Sequence, residues 1–157
     1  MLWRRQRLAN FVRAWTVFSL CLTPAALSWA DEPIPIGDIL EAPRTYHLRH
    51  VTMQGTARDV QPLDPYKLPS NDTVCYGAYL FKLEDESGVM SVAVLGLCGV
   101  PLVRDPDIED GQHVTVSATI QAPSHGGYAL SFHGLKVVTE EEGFVQAVAT
   151  HILPVIE

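Results

Sequence analysis

Two cysteines, Cys75 and Cys98, enclose a symmetric pair of strand-like segments. The segments, 76–83 and 89–95, are joined by Glu84 to Gly88, a stretch of turn-forming residues. The midpoint between the cysteines falls inside this turn. Residues equidistant from the turn of an antiparallel hairpin face each other with Cβ atoms about 5 Å apart, which suits a disulfide. The sequence therefore predicts a hairpin whose open end is closed by a Cys75–Cys98 bridge.

A redox-active thiol pair is the alternative interpretation of these cysteines. Such pairs usually stand as C-x-x-C at the start of a helix, whereas twenty-two residues separate Cys75 from Cys98. The spacing favours a structural bridge, and a structural bridge requires an oxidising compartment.

The first thirty residues have the organisation of a secretory signal peptide. Met1 to Arg13 is rich in arginine, a mostly apolar run follows to Leu27, and Ser28-Trp29-Ala30 places small residues where a signal peptidase reads them. We expect cleavage after Ala30, export to the periplasm, and an extended leader over 31–35. Retention as a membrane anchor is the alternative, but the apolar run is shorter than the ~20 residues that cross a bilayer.

Cleavage would leave a strongly acidic domain. Four of the eleven Lys and Arg residues lie in the first thirty positions and none of the eighteen acids does, so residues 31–157 carry a formal charge of −11. A net charge of this sign repels phosphate backbones and argues against nucleic acid as a partner.

Hydrophobic periodicity predicts a mainly β domain. A short helix is expected at Ile36 to Glu41, and alternating apolar residues predict strands around 51–58 and 114–120. A further strand with a bulge at Gly134 is predicted over 128–138, and the tail, 139–157, is interpreted as partly helical because Phe144, Val148 and Ile152 are four residues apart.

Three segments resemble exported bacterial OB-fold domains. Ile39 to Tyr46, leading into His50 to Ala57, resembles their opening of helix, Pro, Tyr and a V-T-x-x-G-x-V strand, and Tyr79 to Gly88 is similar to their F-x-L-x-D-x-S/T-G hairpin. Asp110 to Val116 is similar to their x-D-G-x-x-V-x-V strand entry. The resemblance covers 36–138 and implies an all-β fold, a small five-stranded OB-fold-like Greek-key barrel. A Pro-rich acidic loop stands between the third and fourth strands, where many OB-folds have a helix.

The resemblance also implies where a ligand would bind. OB-folds hold oligonucleotides or oligosaccharides on the face of strands two and three and in the neighbouring loops, with aromatic stacking and, for nucleic acid, basic side chains. The residues expected on such a surface are Arg58, Tyr76, Lys82, Tyr128 and His133. Rim residues of an ordinary barrel are the alternative interpretation of the same five.

The histidines raise the possibility of a copper or zinc site. His47 and His50 are three residues apart where a helix gives way to a strand, and His113, His125 and His133 are scattered over the later strands. The acidic run from Asp105 to Asp110 lacks the Gly and Glu positions of a calcium-binding EF-hand loop. No cofactor is predicted, and a metal is the weaker hypothesis.

The sequence contains no G-x-S-x-G elbow and no free cysteine in its exported part, and the paired acids Glu84 and Asp85 lie in a turn. It therefore predicts a non-enzymatic binding or adaptor module that recognises an envelope protein or glycan. The alternatives are a periplasmic metal or cofactor carrier that uses surface histidines and a binder of single-stranded nucleic acid or oligosaccharide.

Overall fold

The computed structural model describes residues 32–101, 105–139 and 144–156. The predicted signal peptide lies outside these ranges, and so does Asp31, the first residue of the predicted leader. The described elements, in chain order, are α1 (Ile36–Glu41), α2 (Pro43–Tyr46), β1 (His50–Pro62), β2 (Tyr66–Lys67), β3 (Val74–Tyr76), β4 (Tyr79–Glu84), β5 (Val89–Val94), β6 (Leu97–Cys98), β7 (His113–Gln121), β8 (Gly127–Ser131), β9 (Gly134–Val138) and β10 (Gln146–Pro154).

Five of the strands close into a barrel in the order β1-β4-β5-β10-β7, and β7 pairs with β1 to complete it. Neighbouring strands are antiparallel except β5 and β10, which are parallel. The order β7-β1-β4-β5 is that of a Greek key. The all-β, five-stranded OB-fold-like barrel predicted from the sequence is therefore confirmed.

The barrel interior is built by the alternation that the sequence predicted. On β1, Val51, Met53 and Ala57 point inward, and they meet inward residues of β4, β5 and β7. Because successive side chains of a strand point to opposite faces, the intervening residues face outward. This interior cluster also includes Ile36 and Ile39, through which α1 packs against the barrel.

The helix α1 is held in place by the β4–β5 turn. Asp85 Oδ2 accepts a hydrogen bond of 2.9 Å from the Ile36 amide, and Ser87 Oγ accepts one of 2.7 Å from the Gly37 amide. Asp85 Oδ1 also accepts bonds from the Ser87 amide, the Ser87 hydroxyl and the Gly88 amide. The same carboxylate therefore shapes the turn and satisfies the first amide of the helix.

A second layer lies outside the barrel. Strands β2, β3 and β6 form a three-stranded sheet, and β8 and β9 form a separate hairpin. They pack on the outer side of β4 and β5 around a second apolar cluster, which is separate from the barrel interior. Its fully or nearly buried members are Leu63, Tyr66, Cys75, Ala78, Leu80, Ala93 and Leu130.

The structure corrects the prediction for the C-terminal third. Residues 128–138, predicted as the fifth barrel strand, form the β8–β9 hairpin instead, and Gly134 completes its turn rather than a bulge. The fifth barrel strand is β10, so the barrel extends to Pro154 and does not end at residue 138. The predicted terminal helix is wrong, because these residues pair with β7 along the strand and with β5 at its start.

The disulfide between Cys75 and Cys98 is present as predicted. It joins β3 to β6, where the two cysteines are direct partners across the small sheet, and it closes the end of the β4–β5 hairpin. In the described part of the chain, no helix has the length and apolar character needed to cross a membrane.

Candidate functional site

The two basic residues expected on the binding surface are each paired with an acid. Arg58 on β1 and Lys82 on β4 are direct cross-strand partners on the outer face of the barrel. Arg58 Nε lies 3.1 Å from Glu84 Oε2, and Lys82 Nζ lies 2.6 Å from Asp59 Oδ2. The hydrogen bond and the charge of Asp59 raise the pKa of Lys82 above its ordinary value. The positive charges are locally balanced and form no basic groove.

Half of the outer face of β4 and β5 is covered by the protein itself. Leu80 and Ala93 are cross-strand partners on this face, and both are buried under the second layer. Only the end of the face that carries Lys82 and Ser91 is free of this cluster. In OB-folds this face is the usual ligand platform. Here the half around Leu80 and Ala93 is occupied by the chain's own side chains.

We call the part of the second layer other than β6 the cover, and it has two halves. The loop half is residues 63–78, which include β2 and β3, and the hairpin half is residues 127–138. The halves meet where the turn of the hairpin approaches β2, since a Cβ at Gly134 would lie 3.1 Å from Tyr66 Cβ. The two halves of the cover are therefore in contact with each other at this point.

Gln146 fastens the hairpin half to the barrel wall. Its side chain is 2% exposed, and its Oε1 accepts a hydrogen bond of 3.1 Å from the Leu130 amide. Its Nε2 donates to the Leu130 carbonyl at 2.9 Å and to Ser91 Oγ at 3.4 Å. The amide side chain acts as a short strand partner for the edge of β8. Gln146 was not among the predicted site residues, because a single Gln in an apolar tail carries no distinguishing signal.

The three remaining predicted binding residues are dispersed over the cover. Tyr76 is half-buried on β3, where it pairs with Leu97. Tyr128 is 54% exposed on β8, opposite Val137. His133 lies in the turn between β8 and β9. The structure brings Arg58 and Lys82 together, but it does not bring these three residues to them or to one another.

His133 borders a polar cleft of about 420 Å³ between the two halves of the cover. Its wall carries the side chains of Asp64, Lys67 and Phe132, and Phe132 is 52% exposed. Tyr66 forms part of the floor and is buried. The exposed Phe132 ring can stack on the face of a sugar. The ammonium group of Lys67 and the carboxylate of Asp64 can hydrogen-bond to the sugar hydroxyl groups.

The histidines do not converge. His47 Nδ1 accepts a hydrogen bond of 3.0 Å from the Ala122 amide, and His113 Nε2 lies 3.3 Å from Gln54 Nε2. His50 and His113 lie at opposite ends of the ladder between β1 and β7, and His125 is in a separate turn. Among the residues that the structure describes, no group of three or more His, Cys, Asp or Glu side chains is placed to hold a metal ion.

An exposed apolar segment follows the β5 strand. Leu95, Leu97 and Val100 are 50%, 53% and 58% exposed, and Leu97 belongs to β6, an edge strand of the small sheet. We call these three residues the β6 patch. Its sequence signal is the stretch between Gly88 and Arg104, which contains no charged residue. This stretch was interpreted as a buried strand and a connector, and therefore no exposed apolar surface was predicted there.

No protein-family model matches the chain, and no curated protein sequence is significantly similar to it.

Proposed function

We propose that this chain is an exported, non-enzymatic OB-fold-like module that recognises a protein of the cell envelope through the β6 patch. The observation that carries the proposal is the exposure of Leu95, Leu97 and Val100 on an edge strand. Water-exposed apolar side chains grouped on one short segment favour burial against a protein partner. An unpaired strand edge also offers main-chain hydrogen bonds to that partner.

The alternatives have less support from the surface. A nucleic-acid ligand would need an uncompensated basic groove, whereas Arg58 and Lys82 are each paired with an acid. It would also need the face of β4 and β5, of which Leu80 and Ala93 are buried. A metal carrier would need converging histidines.

Export is part of the proposal, and the disulfide supports it. Bridges such as Cys75–Cys98 form and persist in oxidising compartments and are rare in the cytosol. The signal-like N-terminal sequence predicts the same destination. N-terminal sequencing of the protein recovered from the periplasm should read Asp31-Glu32-Pro33, and recovery of the uncleaved chain would contradict the predicted site.

Site-specific photocrosslinking tests the β6 patch in the cell. A photoreactive phenylalanine analogue at position 97 should yield a discrete crosslinked envelope protein, because Leu97 is at the centre of the patch. The matched control is the same analogue at Leu48, which is 69% exposed but lies between α2 and β1. A Leu95→Glu substitution should abolish the crosslink from position 97 without lowering the melting temperature.

Two results would contradict the proposal. The first is an equal pattern of crosslinks from positions 97 and 48, which would indicate random encounters. The second is a crosslink from position 97 that survives Leu95→Glu and Val100→Glu together, since a buried apolar contact does not tolerate two charges.

A glycan ligand in the cover cleft is the second candidate. The exposed Phe132 ring beside Lys67 and Asp64 supports it. We expect Phe132→Ala to weaken binding of soluble peptidoglycan fragments at least tenfold in a calorimetric titration. Absence of binding by the unsubstituted protein at millimolar fragment would exclude this candidate and leave the β6 patch unaffected.

A further inference from the structure

The interior of the barrel is separate from the apolar cluster under the cover. The barrel interior cluster contains no residue of the cover, and the five barrel strands hydrogen-bond to one another without β2, β3, β6, β8 or β9. The cover therefore contributes nothing to closing the barrel. It can separate from the outer face of β4 and β5 while the barrel stays folded.

The loop half of the cover is lightly attached. Its strands β2 and β3 have two and three residues, and β3 pairs with β6 at only two positions. Outside these ladders, the Gly99 amide donates to the Val74 carbonyl, whereas the bond from the Leu63 amide to the Ala78 carbonyl joins the two ends of the half to each other. Apart from the chain itself, which continues into β1 and β4 at the two ends, the bridge between Cys75 and Cys98 is the covalent link that ties this half to β6.

The two cysteines of the bridge differ in their exposure to solvent. Cys75 is fully buried in the second cluster, under Leu63 and Tyr66, whereas Cys98 is exposed at the edge of the small sheet. A thiol in solution can therefore reach the bridge from the Cys98 side. The buried cysteine is the leaving group in that approach.

We propose that the Cys75–Cys98 bridge is a redox latch, whose reduction releases the loop half of the cover and uncovers the apolar face of β4 and β5 around Leu80 and Ala93. The reductant is a dithiol. Its first thiolate attacks Cys98 Sγ, a mixed disulfide forms, and Cys75 leaves as a thiolate that takes up a proton. Its second thiolate then attacks the first reductant sulfur, releases Cys98 as a thiol and leaves the reductant as a cyclic disulfide.

Hydroxyl-radical footprinting of the protein before and after treatment with dithiothreitol tests the latch. Tyr66 and Leu80 belong to the covered cluster, whereas Met53 and Met90 lie in the barrel interior. We expect labelling of Tyr66 and Leu80 to rise at least fivefold on reduction. Labelling of Met53 and Met90, which are intrinsically reactive, should stay unchanged because the barrel remains closed.

A double variant, Cys75→Ser with Cys98→Ser, is the matched control. It should show the raised labelling of Tyr66 and Leu80 without dithiothreitol and no further change with it. Unchanged labelling of all four residues on reduction would overturn the proposal, because the cover would then be held by packing alone. Increased labelling of all four would also overturn it, because the bridge would then stabilise the whole domain and not the cover.

Discussion

Single side chains connect the separate parts of this molecule, and few of those connections can be predicted from sequence. The inward residues of β1 and β7 followed from strict alternation, because period-2 burial leaves a direct sequence signal. The pairing of Lys82 with Asp59 did not, since it depends on a register between β1 and β4 that shifts beyond Arg58. The contacts of Gln146 could not be predicted either, because its pairing with Leu130 depends on how the β8–β9 hairpin packs against the barrel.

Asp85 should make the stability of the domain depend on pH in acid. Burial acts to raise the pKa of this carboxyl, but hydrogen bonds from Ile36, Ser87 and Gly88 outweigh it and lower the pKa below its ordinary value of 3.8. A carboxylate with a lower pKa in the folded state stabilises fully above its unfolded pKa, and the contribution is lost as the pH falls through the folded pKa.

We therefore expect Asp85→Asn to lower the free energy of unfolding by about 1–2 kcal/mol at pH 7. The amide carries no charge and has one acceptor oxygen, whereas the two carboxylate oxygens serve Ile36 on one side and Ser87 and Gly88 on the other. The difference from the unsubstituted protein should hold down to about pH 5 and shrink below pH 4. Urea denaturation across this range measures it. Glu86→Gln, at an exposed position of the same turn, is the control and should change stability by less than about 0.5 kcal/mol. A constant difference down to pH 2 would contradict the assignment.

At the scale of elements, β10 shows why the tail was misjudged. Val145, Ala147 and Ala149 follow a strand period toward the interior, but the register shifts between Ala149 and His151, and Ile152 then resumes the inward contact. The shift breaks the two-residue alternation, because the inward residues Ala149 and Ile152 are three residues apart. The four-residue spacing of Phe144, Val148 and Ile152 suggested a helix, but only Ile152 of these three packs against the barrel interior. Because β10 was not recognised as a strand, the strand-like segment 128–138 was interpreted as the fifth strand of the barrel.

The contact between the halves of the cover depends on Gly134. Its φ is +94°, and an added Cβ would lie 3.1 Å from Tyr66 Cβ, closer than such atoms normally approach. Gly111 has a similar φ of +85° but open space around it. Both positions penalise an L side chain by about 1–2 kcal/mol, and Gly134 adds the steric conflict.

We expect Gly134→Ala to lower the free energy of unfolding by at least about 1 kcal/mol more than Gly111→Ala does. Urea titration of the two variants gives the comparison, and hydrogen exchange of 63–78 should rise only in Gly134→Ala. Equal decreases in the free energy of unfolding of the two variants would show that the turn of the hairpin makes no tight contact with β2.

For the whole molecule, the charge distribution and the fold both argue against binding of nucleic acid. Residues 31–157 carry a formal charge of −11, and the basic residues of the outer face, Arg58 and Lys82, are each held by an acid. The fold-based expectation of a ligand on β4 and β5 is opposed by the cover. No sequence pattern predicted the cover, because it is assembled from two strands of only two and three residues and a hairpin. What the molecule exposes instead is the uncharged β6 patch.

The disulfide-intact protein should therefore fail to bind nucleic acid. In a titration against a fluorescent mixed-sequence single-stranded oligonucleotide, we expect no saturation at about 100 µM protein even in low salt, where counterion release favours any basic groove. Arg58→Ala with Lys82→Ala should leave this result unchanged, while Asp59→Asn with Glu84→Gln, which frees both cations, should produce weak binding that salt abolishes. Tight binding by the unsubstituted protein that weakens steeply with salt would mean that a local basic surface overrides the acidic whole, and the β6 patch would lose its place as the principal recognition surface.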